Sequence, residues 1–402
     1  MNTHFIGLDI GSSSLKMIAA KPQGEGEGLE IMASGEEQSS GVRKGAVVNP
    51  EELTKRISML KTRLEQTISR RIEEVVVSIG GSHIFITPSR GVVAISRADG
   101  QISQEDVERV LSAAQALSLP SNKEILEVVP QEYIVDGIAG IKEPVGMRGI
   151  RLETEVAAIC AFSPYVKHLS DAVLGAGLEI TDIVPGPLAS AHALLYSNQK
   201  ELGVALLAVG AATTGLAVFE EGDLIHLAVL PIGSDNITQD IAIGLRTVPE
   251  IAEIIKKEYG SCLSSQGKRI EKVQLEGGEE IKFPRKLLTH IIASRMQEIF
   301  QLANKELKKV ARQGKLPAGV ILAGGGVKLP GVIEFGKKEF RVSVKRGIPQ
   351  GIWNAQADPA FFGAMGLVAR AYEIAGSSGG FHASRQSNAW KAVKKVVRVF
   401  LP

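Results

Sequence analysis

The stretch Phe5-Ile6-Gly7-Leu8-Asp9-Ile10-Gly11-Ser12-Ser13-Ser14-Leu15-Lys16-Met17-Ile18-Ala19-Ala20 decides the reading of the chain. It predicts an apolar strand, a tight turn and a second apolar strand. Gly11 lets the backbone turn sharply and present its amides. Ser12, Ser13 and Ser14 add hydroxyl donors, and successive N–H groups in such a turn form a concave anion site. Asp9 at the strand end suits a hydrated Mg²⁺, and Lys16 supplies a point charge for a phosphate. This is a strand–turn–strand phosphate loop, not the strand–turn–helix of a P-loop or Rossmann unit. An ordinary hairpin with a polar turn has the same local pattern, so the choice rests on the rest of the chain.

The pattern recurs. Gly203 to Phe219 again reads as an apolar strand, a small-residue turn with hydroxyls (Gly210-Ala211-Ala212-Thr213-Thr214) and an apolar strand. Two similar halves, each offering such a turn, predict a nucleotide held in the cleft between them. Farther on, Val320-Ile321-Leu322-Ala323-Gly324-Gly325-Gly326-Val327 reads as a strand running into three glycines, which allow backbone to approach a base or ribose.

Between these landmarks the chain divides into segments. Residues 1–83 and 156–198 form a first core. Asn49-Pro50-Glu51-Glu52 opens a helix there, with Asn49 as N-cap and Pro50 at its first position. Val75 to Ile79 is a strand buried on both faces. Residues 84–155 read as a small α+β insertion with strands at Ile84–Thr87 and Gly91–Ile95, a helix capped at Ser103, and a strand pair at Glu124–Pro130 and Glu132–Asp136. Residues 199–230 and 315–374 form the second core, whose small-residue helix from Pro359 suits close packing between the halves. Residues 231–314 form an outer subdomain containing a long helix from Pro284. Glu253 and Lys256 share a helix face at i, i+3, and spacing alone favours a surface ion pair. A Gly/Ser-rich linker spans 375–387.

Residues 388–402 close the sequence. On a helical wheel Trp390, Val393, Val396, Val397, Phe400 and Leu401 share one face, and Lys391, Lys394, Lys395 and Arg398 share the other, with no acidic residue between them. This is the composition of a helix lying in a membrane interface. Each basic residue near an anionic leaflet contributes about 1 kcal/mol. One tail therefore binds reversibly, and firm attachment requires several tails on one assembly.

Composition narrows the functional classes. The 402 residues carry a net charge of +2 and only 5% aromatic residues, which argues against a nucleic-acid partner. Cys160 and Cys262 form no metal-type pattern and fit a reduced, cytosolic compartment. Met1 to His4 leads straight into a strand, so no N-terminal signal is expected. No apolar run is long enough to span a bilayer, which leaves a soluble or peripherally bound chain.

The two turns, the triple-glycine strand and the tail together resemble the FtsA family, the actin-like bacterial cell-division proteins. The most specific matches are Gln131-Glu132-Tyr133-Ile134-Val135-Asp136-Gly137 through Gly146, and Pro231-Ile232-Gly233-Ser234-Asp235-Asn236 through Ala242. The resemblance implies an α/β actin-like fold that binds ATP and Mg²⁺. It implies homopolymers on the inner face of the cytoplasmic membrane at the division septum. It further implies tethering of the FtsZ C-terminal tail, with Arg295 matching a basic residue of that site, and recruitment of later division proteins through the insertion. Gly233, Asn236, Glu253 and Lys256 then belong to the nucleotide cleft, with Glu253 and Lys256 near ribose and base. The family's second loop carries two carboxylates where this chain has Ala208 and Gly215. Carboxylates there organise the metal and the attacking water, so very slow or absent hydrolysis is expected. A sugar-kinase-like enzyme and a pilus-assembly relative are the alternatives. The first lacks a catalytic base in the second loop, and the second does not call for the basic tail.

Overall fold

The computed structural model describes residues 4–24, 28–116, 119–263, 269–274, 280–354 and 358–378. The tail residues Trp390 to Leu401 lie outside them.

Two sheets carry the repeat. The first is ordered Glu179–Pro185, Glu74–Ile79, Phe5–Ile10, Ser14–Pro22, Leu29–Gln38, Ile352–Trp353, and the second Asp223–Leu230, Thr214–Glu220, Val204–Val209, Gly319–Ala323, Val344–Arg346. In both, the opening strand pairs antiparallel with the next strand and parallel with a strand from much later in the half. Their strands are near-continuous apolar runs because both faces are covered.

The helix Phe362–Ser378 and the helix Gly186–Leu194 cross between the sheets. A Cβ on Gly366 would overlap the Ala189 carbonyl, and one on Gly7 would lie 2.7 Å from the Leu367 Cβ. The expected small-residue contact between the halves is therefore present. The helix continues to Ser378, into the segment expected to be linker.

Helix Pro50–Ile68 begins as expected, with the Asn49 side chain accepting from Glu52 N and Leu53, Ile57, Leu60 and Leu64 buried. In the insertion, two expected breaks are absent. Phe85–Ala94 is one strand running through Pro88, and Lys123–Val135 is one strand running through Pro130. The first is the edge of its sheet, where a missing N–H costs no ladder bond. The second is bordered on its outer side only at Tyr133 and Val135, by Ile138–Ile141, and is bulged near Pro130. Both pair along Arg151–Phe162, so the insertion's sheet extends past residue 155 to Phe162. Alternation divides that strand's side chains: Ala158 and Cys160 face the insertion's own core, and Ile159 and Ala161 face the first half.

The insertion also touches the second half. Gln131 Nε2 donates to the Leu224 carbonyl (3.1 Å), and Lys142 pairs with Asp223. The long helix Arg285–Lys309 shares one apolar cluster with the second sheet through Met296, Ile299, Phe300 and Leu307.

Candidate functional site: a cleft between two hairpins

In the first hairpin Asp9 lies directly opposite Lys16, and Ile10 opposite Leu15. Gly11 closes the turn by donating its N–H to the Ser14 carbonyl (3.2 Å). A Cβ at Gly11 would lie 2.7 Å from that oxygen, so the turn requires glycine. The Ser12 hydroxyl accepts from Gly45 N (2.8 Å), the Ser13 carbonyl accepts from Ser39 N (3.0 Å), and the Ser13 side chain is exposed.

Asp9 is held from two sides. The Ser78 hydroxyl accepts from Ile10 N (2.8 Å) and donates to Asp9 Oδ1 (2.6 Å). Gly363, at the start of the last helix, sits so close that a Cβ there would lie 2.8 Å from Asp9 Oδ2. Lys16 is 8% exposed. Its Nζ donates to the Ser14 hydroxyl (2.5 Å) and lies 3.4 Å from Glu36. Burial raises the Glu36 pKa, but the Ser14 hydroxyl and Lys16 bring it below its ordinary value.

The second hairpin matches the first position for position. Val209 is opposite Thr214, Ala208 is opposite Gly215, and Gly210 donates to the Thr213 carbonyl (2.9 Å). Its surroundings differ. Gly210 and Ala211 turn their carbonyls to the start of helix Ser234–Leu245, accepting from Ser234 N (2.9 Å) and Asp235 N (2.8 Å). Those two amides are therefore engaged by protein, although helix N-termini are ready anion donors elsewhere. Gly233 lies against this turn, with no room for a Cβ beside Ala211, and its N–H is taken by Asn236 Oδ1 (3.0 Å). Thr214 is fully buried and donates to the Ile232 carbonyl (2.8 Å). Thr213 is half-buried.

The triple glycine has divided roles. Gly324 (φ +84°) and Gly326 pack against Val209, the residue before the second turn, at distances that exclude any side chain. Gly325 is exposed. Nearby, Asp358 caps Ala360 N (2.8 Å) and pairs with Lys328 (2.6 Å).

Lys256 is buried, at 6% exposure, so it is not half of a surface pair as spacing suggests. Its Nζ contacts Glu253 (2.6 Å), the Thr238 hydroxyl (2.7 Å) and the Ser234 carbonyl (3.2 Å), and Thr238 donates to Glu253 (2.5 Å). Burial pushes the Glu253 pKa up; the bonds from Lys256 and Thr238 outweigh it and leave the carboxyl below its usual value. Asp235, beside them, is pushed up by burial. Arg295 lies on the long helix in another network, bidentate to Asp240 (2.6 and 2.9 Å) and bonded to Glu298 (2.5 Å).

Ser78, Glu36, Thr238 and Asp358 are supports that sequence reading misses. Only Ser78 leaves a signal, as the one hydroxyl in the apolar run Val75–Ile79. Among the described residues no group of three or more His, Cys, Asp and Glu side chains is placed to hold a metal. The donor set fits a hydrated cation shared between Asp9 and ligand oxygens rather than a protein cage.

Paired sheets that each open on a tight hairpin, both turns gathered near the start of the last helix through Gly363 beside Asp9 and Gly324 beside Val209 and Pro359, define an actin-like protein. Solved structures agree on that fold. The pilus protein complex PilM–PilN matches with a TM-score of 0.66 at 18% identity, over 92% of this chain and 99% of that one. The ADP-bound MreB5 of Spiroplasma citri matches at 0.56 and 13%, over 94% and 99%. Within that class the chain belongs to the FtsA family of cell division proteins. Residues 205–366 match the family described as cell division protein FtsA, and residues 81–160 match the one described as the SHS2 domain inserted in FTSA. Cell division protein FtsA of Pseudomonas aeruginosa is 35% identical over 90% of this chain and 88% of its own length. That of Borreliella burgdorferi is 37% identical over 92% and 91%, and that of Bacillus subtilis 34% identical over 91% and 83%.

Proposed function

We propose that this chain is a cell-division scaffold that uses ATP with Mg²⁺ as a structural ligand. In this reading it polymerises on the inner face of the cytoplasmic membrane at the septum, tethers FtsZ there, and recruits later division proteins through its insertion. The observation that carries the nucleotide reading is the first hairpin, where Asp9 and Lys16 are opposed across a closed turn and both braced by neighbours. Lys16 and the Ser12–Ser14 turn bind phosphate oxygens. Asp9 holds a water of the cation. Gly325, Glu253 and Lys256 border the nucleoside. The second hairpin adds backbone and the Thr213 hydroxyl but no carboxylate at Ala208 or Gly215. With no carboxylate there to orient a water, turnover is negligible.

Arg295 is the contact for the FtsZ C-terminal tail. Asp240 and Glu298 already occupy its guanidinium, so an incoming carboxylate exchanges with them. Among the described residues no helix is long and apolar enough to cross a membrane. Attachment is assigned to residues 388–402 and to anionic lipids.

Calorimetry of ATP and ADP with Mg²⁺, run alongside phosphate release, tests the core of this reading. Saturable ATP binding with negligible release is expected. Absence of binding, or brisk Mg²⁺-dependent release, overturns it. Sedimentation with anionic vesicles, with and without residues 388–402, tests the membrane part and separates it from a pilus-type adaptor.

A further inference from the structure

The C-terminal ends of helices Arg285–Lys309 and Val332–Phe340 meet the loop at Gln313–Gly314 around a cavity of about 540 Å³, a volume typical of small-molecule sites. Lys305, Lys308 and Arg341 line it; all three are exposed, and none makes an ion pair among the described residues. Glu339 is the one acid in the lining, and its Oε1 already accepts from Gln297 (3.2 Å). Asn304, 7% exposed, is the buried polar group of the lining. Its Nδ2 donates to the Glu339 carbonyl (3.0 Å), and its Oδ1 has no hydrogen-bond partner.

These features specify a ligand chemistry. Three cations against one acid favour an anion, beyond what the negative C-terminal ends of the two helices offset. A buried acceptor without a donor is costly unless a ligand or water supplies one, so the matching ligand also carries a hydroxyl. Phe340 is the only large apolar residue in the lining, which gives a peptide no anchor of the kind that groove-bound segments use. A phosphate ester of a polyol meets both requirements.

Position suggests the source. Strand Gly319–Ala323 starts beside this loop and ends at Gly324 in the cleft, so the cavity lies at the end of its sheet remote from the hairpin turns. The last helix starts beside Asp9 and runs the opposite way, away from the turns, to Tyr372 packed on Phe5 (5.4 Å between rings). The cavity and the described part of the last helix thus both extend away from the hairpin turns, each toward the far end of its own sheet. We propose that the cavity takes the phosphate-and-glycerol headgroup of an anionic glycerolipid, a second, folded contact with the membrane beside the tail. This lipid assignment rests on the membrane reading above; the phosphate-ester chemistry does not.

The test begins in solution. The full chain is titrated with soluble glycerol phosphate, and separately with inorganic phosphate, by calorimetry. Saturable binding of glycerol phosphate is expected, stronger than that of inorganic phosphate. It should weaken about tenfold or more in a Lys305→Gln, Lys308→Gln double variant, which removes two of the three cations that line the cavity. Asn304→Leu should weaken it severalfold. The double variant changes only exposed side chains, and an unchanged unfolding midpoint confirms its fold. No saturable binding, or equal binding by the double variant, overturns the site. On vesicles of phosphatidylglycerol and phosphatidylcholine, the double variant with its tail intact should bind severalfold less than the parent. Equal vesicle binding beside a retained solution site overturns the lipid source. Trp390→Ala with Phe400→Ala probes the tail alone. The solution titration does not involve the tail, so failure of the tail and failure of the cavity are read separately.

Discussion

The two hairpins share a backbone and differ in what their matching positions hold. Asp9 opposite Lys16 in the first becomes Ala208 opposite Gly215 in the second. Leu15, fully buried, becomes Thr214, equally buried and bonded to Ile232. The first turn is surrounded by side chains that brace its charged pair. The second has its carbonyls fixed by the helix at Ser234. A duplicated fold can therefore keep the geometry of a two-sided cleft while leaving the charged groups of this pair on one side. That asymmetry suits holding a phosphate more than activating a water against it.

The largest expected effect comes from removing the support the hairpins share. Gly366→Ala drives a methyl into the Ala189 carbonyl. Overpacking of this kind costs about 3 kcal/mol, read as a lowered midpoint in urea unfolding. Next comes the contrast itself. Lys16→Ala is expected to weaken ATP binding about tenfold or more, near 1.4 kcal/mol, whereas Thr213→Ala should change it by less than about threefold, as for a single exchangeable hydroxyl contact. Calorimetry on the pair decides, and equal losses would make the cleft symmetric after all. Thr214→Val leaves the Ile232 carbonyl without its donor and should cost about 1 kcal/mol of stability, with ATP affinity unchanged.

The smallest effect is the pH dependence of the Glu253, Lys256 and Thr238 network. Glu253 titrates below its ordinary value in the folded chain. Its contribution is therefore complete above the carboxylate's unfolded pKa and is lost as pH falls through the lower, folded value. Urea midpoints should decline on acidification, and Glu253→Gln should flatten part of that decline.

Much of this was legible in sequence because it depends on local chemistry. Asn49-Pro50 marks a helix start, Gly11 and Gly210 mark turns, and the repeat of apolar strand, turn and strand marks two halves. What stayed hidden depends on three-dimensional neighbours. Pro88 and Pro130 read as breaks because sequence does not say which strand lies at an edge. Spacing alone read Lys256 as a surface residue, against the resemblance, because i, i+3 spacing carries no information about depth, and its burial comes with Thr238 and Ser234 on another helix. Gly324 and Gly326 read as an approach for a base or ribose, and the closeness of Val209, which leaves neither room for a side chain, has no mark in the sequence. The bracing of Asp9 by Ser78 joins residues 69 positions apart, beyond the reach of any local pattern.

The contact of the insertion with Asp223 and Leu224 has a protective consequence. Asp223–Leu230 is the outermost strand of the second sheet, and an outermost strand is a template for unwanted pairing with other chains. Gln131 occupies one of its carbonyls, and Lys142 places a cation at its start. A module borne by one half thus shields the open border of the other, and cutting it out would leave that border bare.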